Sequence, residues 1–226
     1  NSTYNDNGPD VSADGLTLFM NSDRPGGYGA ADLWVATRAT VGDPWNPPLN
    51  VGPIVNGPYS EIYPYISPDG LALFFQSARP GRWTPGFYHL YLARRAATQD
   101  PWGPPMDLGP PVNSDFGDYN PNVSADGSTL YFASLRSGAG DLYQAPIIRI
   151  VDFNGDGKVD GKDVLCLASR WGTDDPLCDI GPFAWGDGTV GLEDLTVLAD
   201  YLGKEVSDPT LIGHWALDET QGSTAH

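Results

Sequence analysis

Residues 152–163 read DFNGDGKVDGKD, and their spacing suits one hard cation. Oxygen-bearing side chains stand at loop positions 1, 3, 5, 9 and 12: Asp152, Asn154, Asp156, Asp160 and Asp163. Gly157 takes the sharp bend at position 6, the carbonyl of Lys158 supplies position 7, and Val159 at position 8 points into a core. Oxygens at alternate positions of such a loop converge. An Asp/Asn/Gly-rich turn that binds nothing would not need five ligand positions together with the glycine. An apolar helical pattern follows at once, in Val164, Leu165, Leu167, Ala168 and Trp171.

An Asp-ended loop running straight into a helix resembles a dockerin repeat, a relative of the calcium-binding EF-hand that ends its loop in Asp rather than Glu. Dockerins pair two loop–helix units. A second, worn unit is legible in Gly186-Asp187-Gly188-Thr189-Val190-Gly191-Leu192-Glu193-Asp194, followed by Leu195, Val197, Leu198, Ala199, Tyr201 and Leu202. Asp187, Gly188, Thr189, Val190 and Asp194 fall at positions 5, 6, 7, 8 and 12. Positions 1 and 3 would then be Phe183 and Trp185, which cannot ligate. Asp179 lies four residues too early and serves only if the loop carries an insertion. The resemblance implies one Ca²⁺ in the first loop, a degenerate second site (Asp179, Asp187, Thr189, Asp194), and a cohesin as partner. The positions that would meet a cohesin are Gly161-Lys162 and Leu192-Glu193, without the near-symmetric hydroxyl pairs of many such modules.

The chain has 226 residues and a formal net charge of −17. That balance argues against nucleic acid or an anionic membrane surface as partner, both of which demand a basic face. It suits a protein that gathers calcium. With 28 glycines, 21 prolines and 12% aromatic residues, a turn-rich β architecture is expected. No apolar run approaches the ~20 residues of a membrane span. No signal peptide is visible, and the first residues lie inside a repeat, so the chain reads as part of a larger secreted protein. Two cysteines, Cys166 and Cys178, fit a disulfide or two separate thiols equally well.

Residues 1–148 are a threefold repeat. Pro9 to Gly15 (PDVSADG) matches Pro64 to Gly70 (PYISPDG) and Pro121 to Gly127 (PNVSADG). LTLFMNSDR, LALFFQSAR and STLYFASLR follow, then DLWVATR, HLYLARR and DLYQAP. The first two copies close with DPWNPPLNVG and DPWGPPMDLG, around Trp45 and Trp102; the third lacks this segment. Each full copy reads as four short strands with an Asp-Gly hairpin, the make-up of a propeller blade. The motif resembles the WD40-like repeat of the PD40 or TolB type. The expected architecture is mainly β: three blades (1–55, 56–112, 113–148) of an incomplete propeller, then a small α-helical module at 149–205. Three blades do not close a propeller, so an open array is expected, with more blades in the parent before Asn1.

One acid recurs three residues before the repeat proline: Asp6, Glu61 and Asp118. A ring of such carboxylates at an axial channel would suit a cation or an amine-bearing ligand. Recurrence in every blade favours instead a structural contact to a backbone amide or the next blade, since that is what a fold requirement produces. Arg24, Arg79 and Arg136 are expected to pair with the acid opening the third strand, Asp32 or Asp141, whose place His89 takes in the second blade. No nucleophile elbow, thiol nucleophile setting or His-rich cluster appears, so no catalytic residue is assigned. Residues 206–226 read as a linker and the first strand of a LamG or concanavalin-like domain (LIGHWALDE), which such proteins use on glycans.

These readings combine into an extracellular or cell-surface, non-catalytic binding and assembly protein of polysaccharide metabolism, its dockerin-like unit binding a cohesin. Two alternatives stand beside it. The unit is a calcium-stabilised spacer between domains, or the chain is part of a glycoside hydrolase whose catalytic portion lies mostly elsewhere.

Overall fold

The computed structural model describes residues 2–80, 85–95, 97–147, 151–175 and 177–205. The proposed LamG-like strand, with His214 and His226, lies outside the described residues.

Three antiparallel sheets follow one another along the chain. The first is β1 (Asp6–Val11), β2 (Thr17–Ser22), β3 (Asp32–Thr37) and β4 (Leu49–Asn50); the second is β5 (Glu61–Ile66), β6 (Ala72–Ser77), β7 (His89–Arg94) and β8 (Met106–Asp107). The third has β9 (Asp118–Val123), β10 (Thr129–Ser134) and β11 (Asp141–Pro146), in keeping with its missing Trp segment. Each is a simple up-and-down meander, so each sheet is one blade-like unit.

The S-x-D-G turns set the first hairpin of each sheet. Ser12 Oγ donates to Asp14 Oδ1 at 2.6 Å and accepts from Thr17 N at 2.9 Å, while Leu16 N donates to Asp14 at 2.9 Å. Ser67–Asp69 and Ser124–Asp126 repeat the arrangement. Gly15, Gly70 and Gly127 close these turns at φ of 73°, 76° and 71°, where a Cβ is strained.

The sheets stack face to face through two apolar seams. Phe19, Leu33 and Val55 of the first meet Ile66, Leu73, Phe75 and Trp102 of the second. Phe74, Leu90 and Leu92 of the second meet Val123, Leu130 and Phe132 of the third. A polar latch recurs at each seam. The opening strand of every sheet is bulged at a positive-φ residue: Gly8 (56°), Tyr63 (50°) or Asn120 (51°). The bulge frees an N–H, and the amide of the preceding sheet accepts it. Tyr63 N donates to Asn21 at 3.1 Å, and Asn120 N donates to Gln76 at 2.8 Å. The third sheet carries Ala133 at the position of Asn21 and Gln76. Among the described residues, no strand of the first sheet meets one of the third, so the array is open.

Two helices follow among the described residues, α1 (Gly161–Ser169) and α2 (Leu192–Tyr201). Asp160 caps α1, accepting from Lys162 N at 2.7 Å, and Asp163 returns the bond to Asp160 N at 2.8 Å. Val151, Phe153, Val159, Leu167, Cys178, Ile180, Val190 and Leu198 form a separate small core between the two loop–helix units. The units are related by an internal twofold. Val159 N donates to Lys204 O and Val159 O accepts from Gly203 N; Val190 N donates to Thr173 O and Val190 O accepts from Gly172 N. Each position-8 valine thus pairs with the segment leaving the other unit's helix.

Candidate metal centre and the repeated carboxylates

The first loop is wound around its own carboxylates. Asp152 accepts from the amides of Gly155, Asp156 and Gly157 at 2.8, 3.2 and 2.8 Å. Asp163, fully buried, accepts from Phe153 and Asn154 at 2.8 and 3.3 Å. Asn154 accepts from Asp156 N at 2.9 Å, and Gly157 makes the bend at φ 84°. Asp156 is also paired with the Lys162 ammonium, which lowers the Asp156 carboxyl below its ordinary value and raises the lysine. In this geometry the acids are spent on amides and on Lys162. Among the described residues no three acidic, histidine or cysteine side chains converge as a metal cluster. The donor set nevertheless fits a hard cation: Asp152, Asn154, Asp156, Asp160 and Asp163 with the Lys158 carbonyl supply oxygen only, on a loop already bent at Gly157.

The second loop follows the same hydrogen-bond plan, which identifies its first position. Asp179 accepts from Asp187 N and Gly188 N at 2.8 and 2.9 Å, as Asp152 does from Asp156 and Gly157. Asp194 accepts from Ile180 N, Gly181 N and Gly191 N at 2.6, 2.8 and 2.6 Å, as Asp163 does from Phe153, Asn154 and Asp160. The loop therefore begins at Asp179 and carries an insertion before Asp187. Gly181 then stands where Asn154 stands, and Gly191 where Asp160 stands, so two oxygen donors are lost. Asp187 accepts from Thr189 N at 3.0 Å. A guanidinium meets the first carboxylate: Arg94, from β7, lies 2.5 Å from Asp179 Oδ2. Burial raises the Asp179 carboxyl to about 6, although Arg94 and the two amides pull the other way.

Gly161, Lys162, Leu192 and Glu193 are all exposed at the starts of the helices. Trp171 and Leu202, equivalent positions beyond α1 and α2, are also exposed, at 51% and 45%. The two cysteines are free thiols; burial pushes Cys178 up to about 12, with Cys166 adding to the rise.

The repeated acids Asp6, Glu61 and Asp118 sit at equivalent places, each bound to an arginine of its own sheet. Arg24, Arg79 and Arg136 reach them at 2.6, 3.3 and 2.9 Å. Each arginine Nε also donates to the serine two residues back, Ser22, Ser77 or Ser134. This corrects the expected pairing with the third strand. Asp32 accepts from Tyr28 N, Gly29 N and the Asn50 amide, and Asp141 from Ser137. These acids close their own tip loops, leaving the arginines to the strand-entry carboxylates. Sequence spacing named both acids but not the partner, because β1 and β3 flank β2 symmetrically. His89 is buried, with Nδ1 3.6 Å from Asp118. Burial by itself would raise the Asp118 carboxyl; His89, Ser134, Arg136 and the Ser114 amide outweigh it and hold it low. A groove of about 1100 Å³ runs along the first seam, lined by Asp14, Phe19, Val35, Ile66, Arg95 and Trp102.

The described chain is thus a mainly β protein of three blade-like sheets with a two-helix module. No protein-family model matches it, and no curated protein matches it. Among solved structures it is similar to a putative TolB from Agrobacterium tumefaciens (16% identity, TM-score 0.45, covering 65% of this chain and 46% of that one). It is also similar to TolB from Acinetobacter baumannii (18%, TM-score 0.40, 62% and 29%). A third is the Hadza microbial sialidase Hz136 (15%, TM-score 0.43, 63% and 31%). The chain therefore spans less than half the length of each. Among the described residues no helix is long and apolar enough to cross a membrane.

Proposed function

We propose that this chain is a non-catalytic binding and assembly part of an extracellular, polysaccharide-associated protein, in which one Ca²⁺ stabilises a dockerin-like module. The carrying observation is the shared hydrogen-bond plan of the two loop–helix units, complete in oxygen donors only in the first. Asp152, Asn154, Asp156, Asp160, Asp163 and the Lys158 carbonyl would hold the ion. It would supply the charge that lets these acids gather, and the small core of the module would tighten with it. Loss of two donors and the Arg94 contact support a single site. The exposed pair Trp171 and Leu202, with Gly161, Lys162, Leu192 and Glu193, offers the surface for a cohesin. Calorimetric titration of the whole chain with Ca²⁺, with Asp152→Ala beside it, tests the metal. One site lost in the variant is expected, and no heat in either rejects the reading. A pull-down against cohesins with and without Ca²⁺ tests the partner.

The interdomain-spacer reading is favoured by one observation, the Arg94–Asp179 pair, which ties the module to the second sheet. The glycoside hydrolase reading gains nothing from Asp6, Glu61 and Asp118, whose arginine partners recur unchanged from sheet to sheet.

A further inference from the structure

We propose that the insertion in the second loop is the closing element of the third blade, with Trp185 standing in for the tryptophan segment that this blade lacks. In the first seam, Trp102 of the second sheet meets Phe19 of the first edge-on, with ring centroids 6.1 Å apart and planes at 70°. In the second seam, Trp185 meets Phe74 edge-on at 5.9 Å and 81°. Phe19 and Phe74 are the same repeat position. Trp185 therefore fills, from the helical module, the slot that Trp102 fills from within its own blade.

The surroundings repeat with one exchange. In the second blade Arg95 lies 4.2 Å over Trp102 and donates to the turn carbonyl of Gly70 at 2.8 Å. The first blade has the same pair, Arg38 over Trp45 at 4.2 Å. In the third blade Ile147 holds that arginine's position. There the partner ring is Phe183, stacked on Trp185 at 4.9 Å and 12°, and Phe183 and Ile147 both pack against the apolar cluster that holds Trp185. The fit at the turn is close. A Cβ on Gly127 would come within 2.5 Å of Phe183 and 3.0 Å of Trp185. Trp185 is 4% exposed, and its Nε1 donates to Asp69 Oδ2 at 2.9 Å. The docked surface is apolar at its centre, with the Arg94–Asp179 ion pair beside it. A metal loop has no use for these extra residues, whereas a blade without its fourth strand does. The packing of Trp185 against the blades involves none of the first loop's oxygen donors.

Hydrogen exchange on the full chain, with Trp185→Ala and Trp185→Phe, tests the assignment. Removing the ring should raise exchange about tenfold or more in β6, β10 and β11, on the blade side of the contact. Residues 152–171 should keep wild-type rates, and Trp185→Phe should restore most of the protection. Exchange that rises only within 179–201, with all three strands unchanged, overturns the proposal. If Trp185→Ala does not fold, Trp185→Leu takes its place under the same two outcomes. A chain that binds no Ca²⁺ would reject the metal reading and leave this result standing.

Discussion

The Arg136 guanidinium lies 2.9 Å from the buried Asp118 carboxylate, a contact repeated between Arg79 and Glu61 and between Arg24 and Asp6. The acid also accepts from Ser114 N at 2.8 Å, so it ties the loop before the third sheet to the end of β10. Its folded value lies below that of the unfolded chain. The unfolded state therefore binds more protons as acid is added. The stability it contributes is complete above about pH 4, the ordinary aspartate value, and is lost as pH falls through the lowered folded value. Asp179, raised to about 6, acts with the opposite sign between about pH 4 and 6, where the folded state takes up the proton first. Thermal melts from pH 2 to 6 should show the wild-type advantage over Asp118→Asn shrinking below pH 4. An advantage that stays constant to pH 2 would contradict the assignment.

Lys162 pairs with Asp156, one of the five side chains proposed to hold Ca²⁺ in the first loop, and would compete with the ion for it. The pair is exposed, so the competition is weak. Lys162→Ala should lower the Kd for Ca²⁺ by about two- to fivefold, and the gain should shrink in high salt. Calorimetry at two ionic strengths measures both effects. An unchanged or raised Kd would show that Asp156 is not a ligand.

Tyr63 occupies the left-handed region at φ 50°, at the same repeat position as Gly8. A bulky residue is strained there, and its N–H, not its ring, makes the latch to Asn21. Tyr63→Gly should therefore retain the latch and stabilise the chain by about 0.5–1 kcal/mol, less what the part-exposed ring loses in contacts. Urea melts decide it. A loss above about 1 kcal/mol would assign the ring a packing role that its 41% exposure does not suggest.

Cys178 is buried and its thiol is pushed up to about 12, so at pH 8 it carries almost no thiolate. Cys166 is partly exposed. Native alkylation at pH 8 should modify Cys166 alone, with Cys178 reacting only after denaturant is added. Mass spectrometry counts the adducts, and two adducts on the native chain would contradict the burial of Cys178.

The sheets were legible because each carries the same chemistry at the same spacing. The S-x-D-G turn dictates a hairpin, and alternating apolar residues dictate which strand faces inward. The third sheet's missing strand was equally readable from its missing Trp segment. The start of the second loop was not, because spacing counted back from Gly188 leads to Phe183. Asp179 was readable only as a candidate conditional on an insertion, and the amides it accepts, which leave no trace in residue order, identify it as the first position. Arg94 and Trp185 were missed for a related reason. Their partners, Asp179 and Phe74, lie far away in sequence, and the repeat pattern relates each residue only to its counterparts in the other blades. The absence of an arginine at Ile147 was the available hint that the third blade borrows its closing residues.

The amide at Asn21 and Gln76, replaced by Ala133, gives the array a direction. A designed chain lengthened by an extra unit ahead of the first sheet would have that unit's own amide to grip the bulge at Gly8. A unit appended behind the third would meet a methyl group where a hook should be. Modular engineering of this protein should therefore graft at the front, or first write Ala133→Gln into the rear.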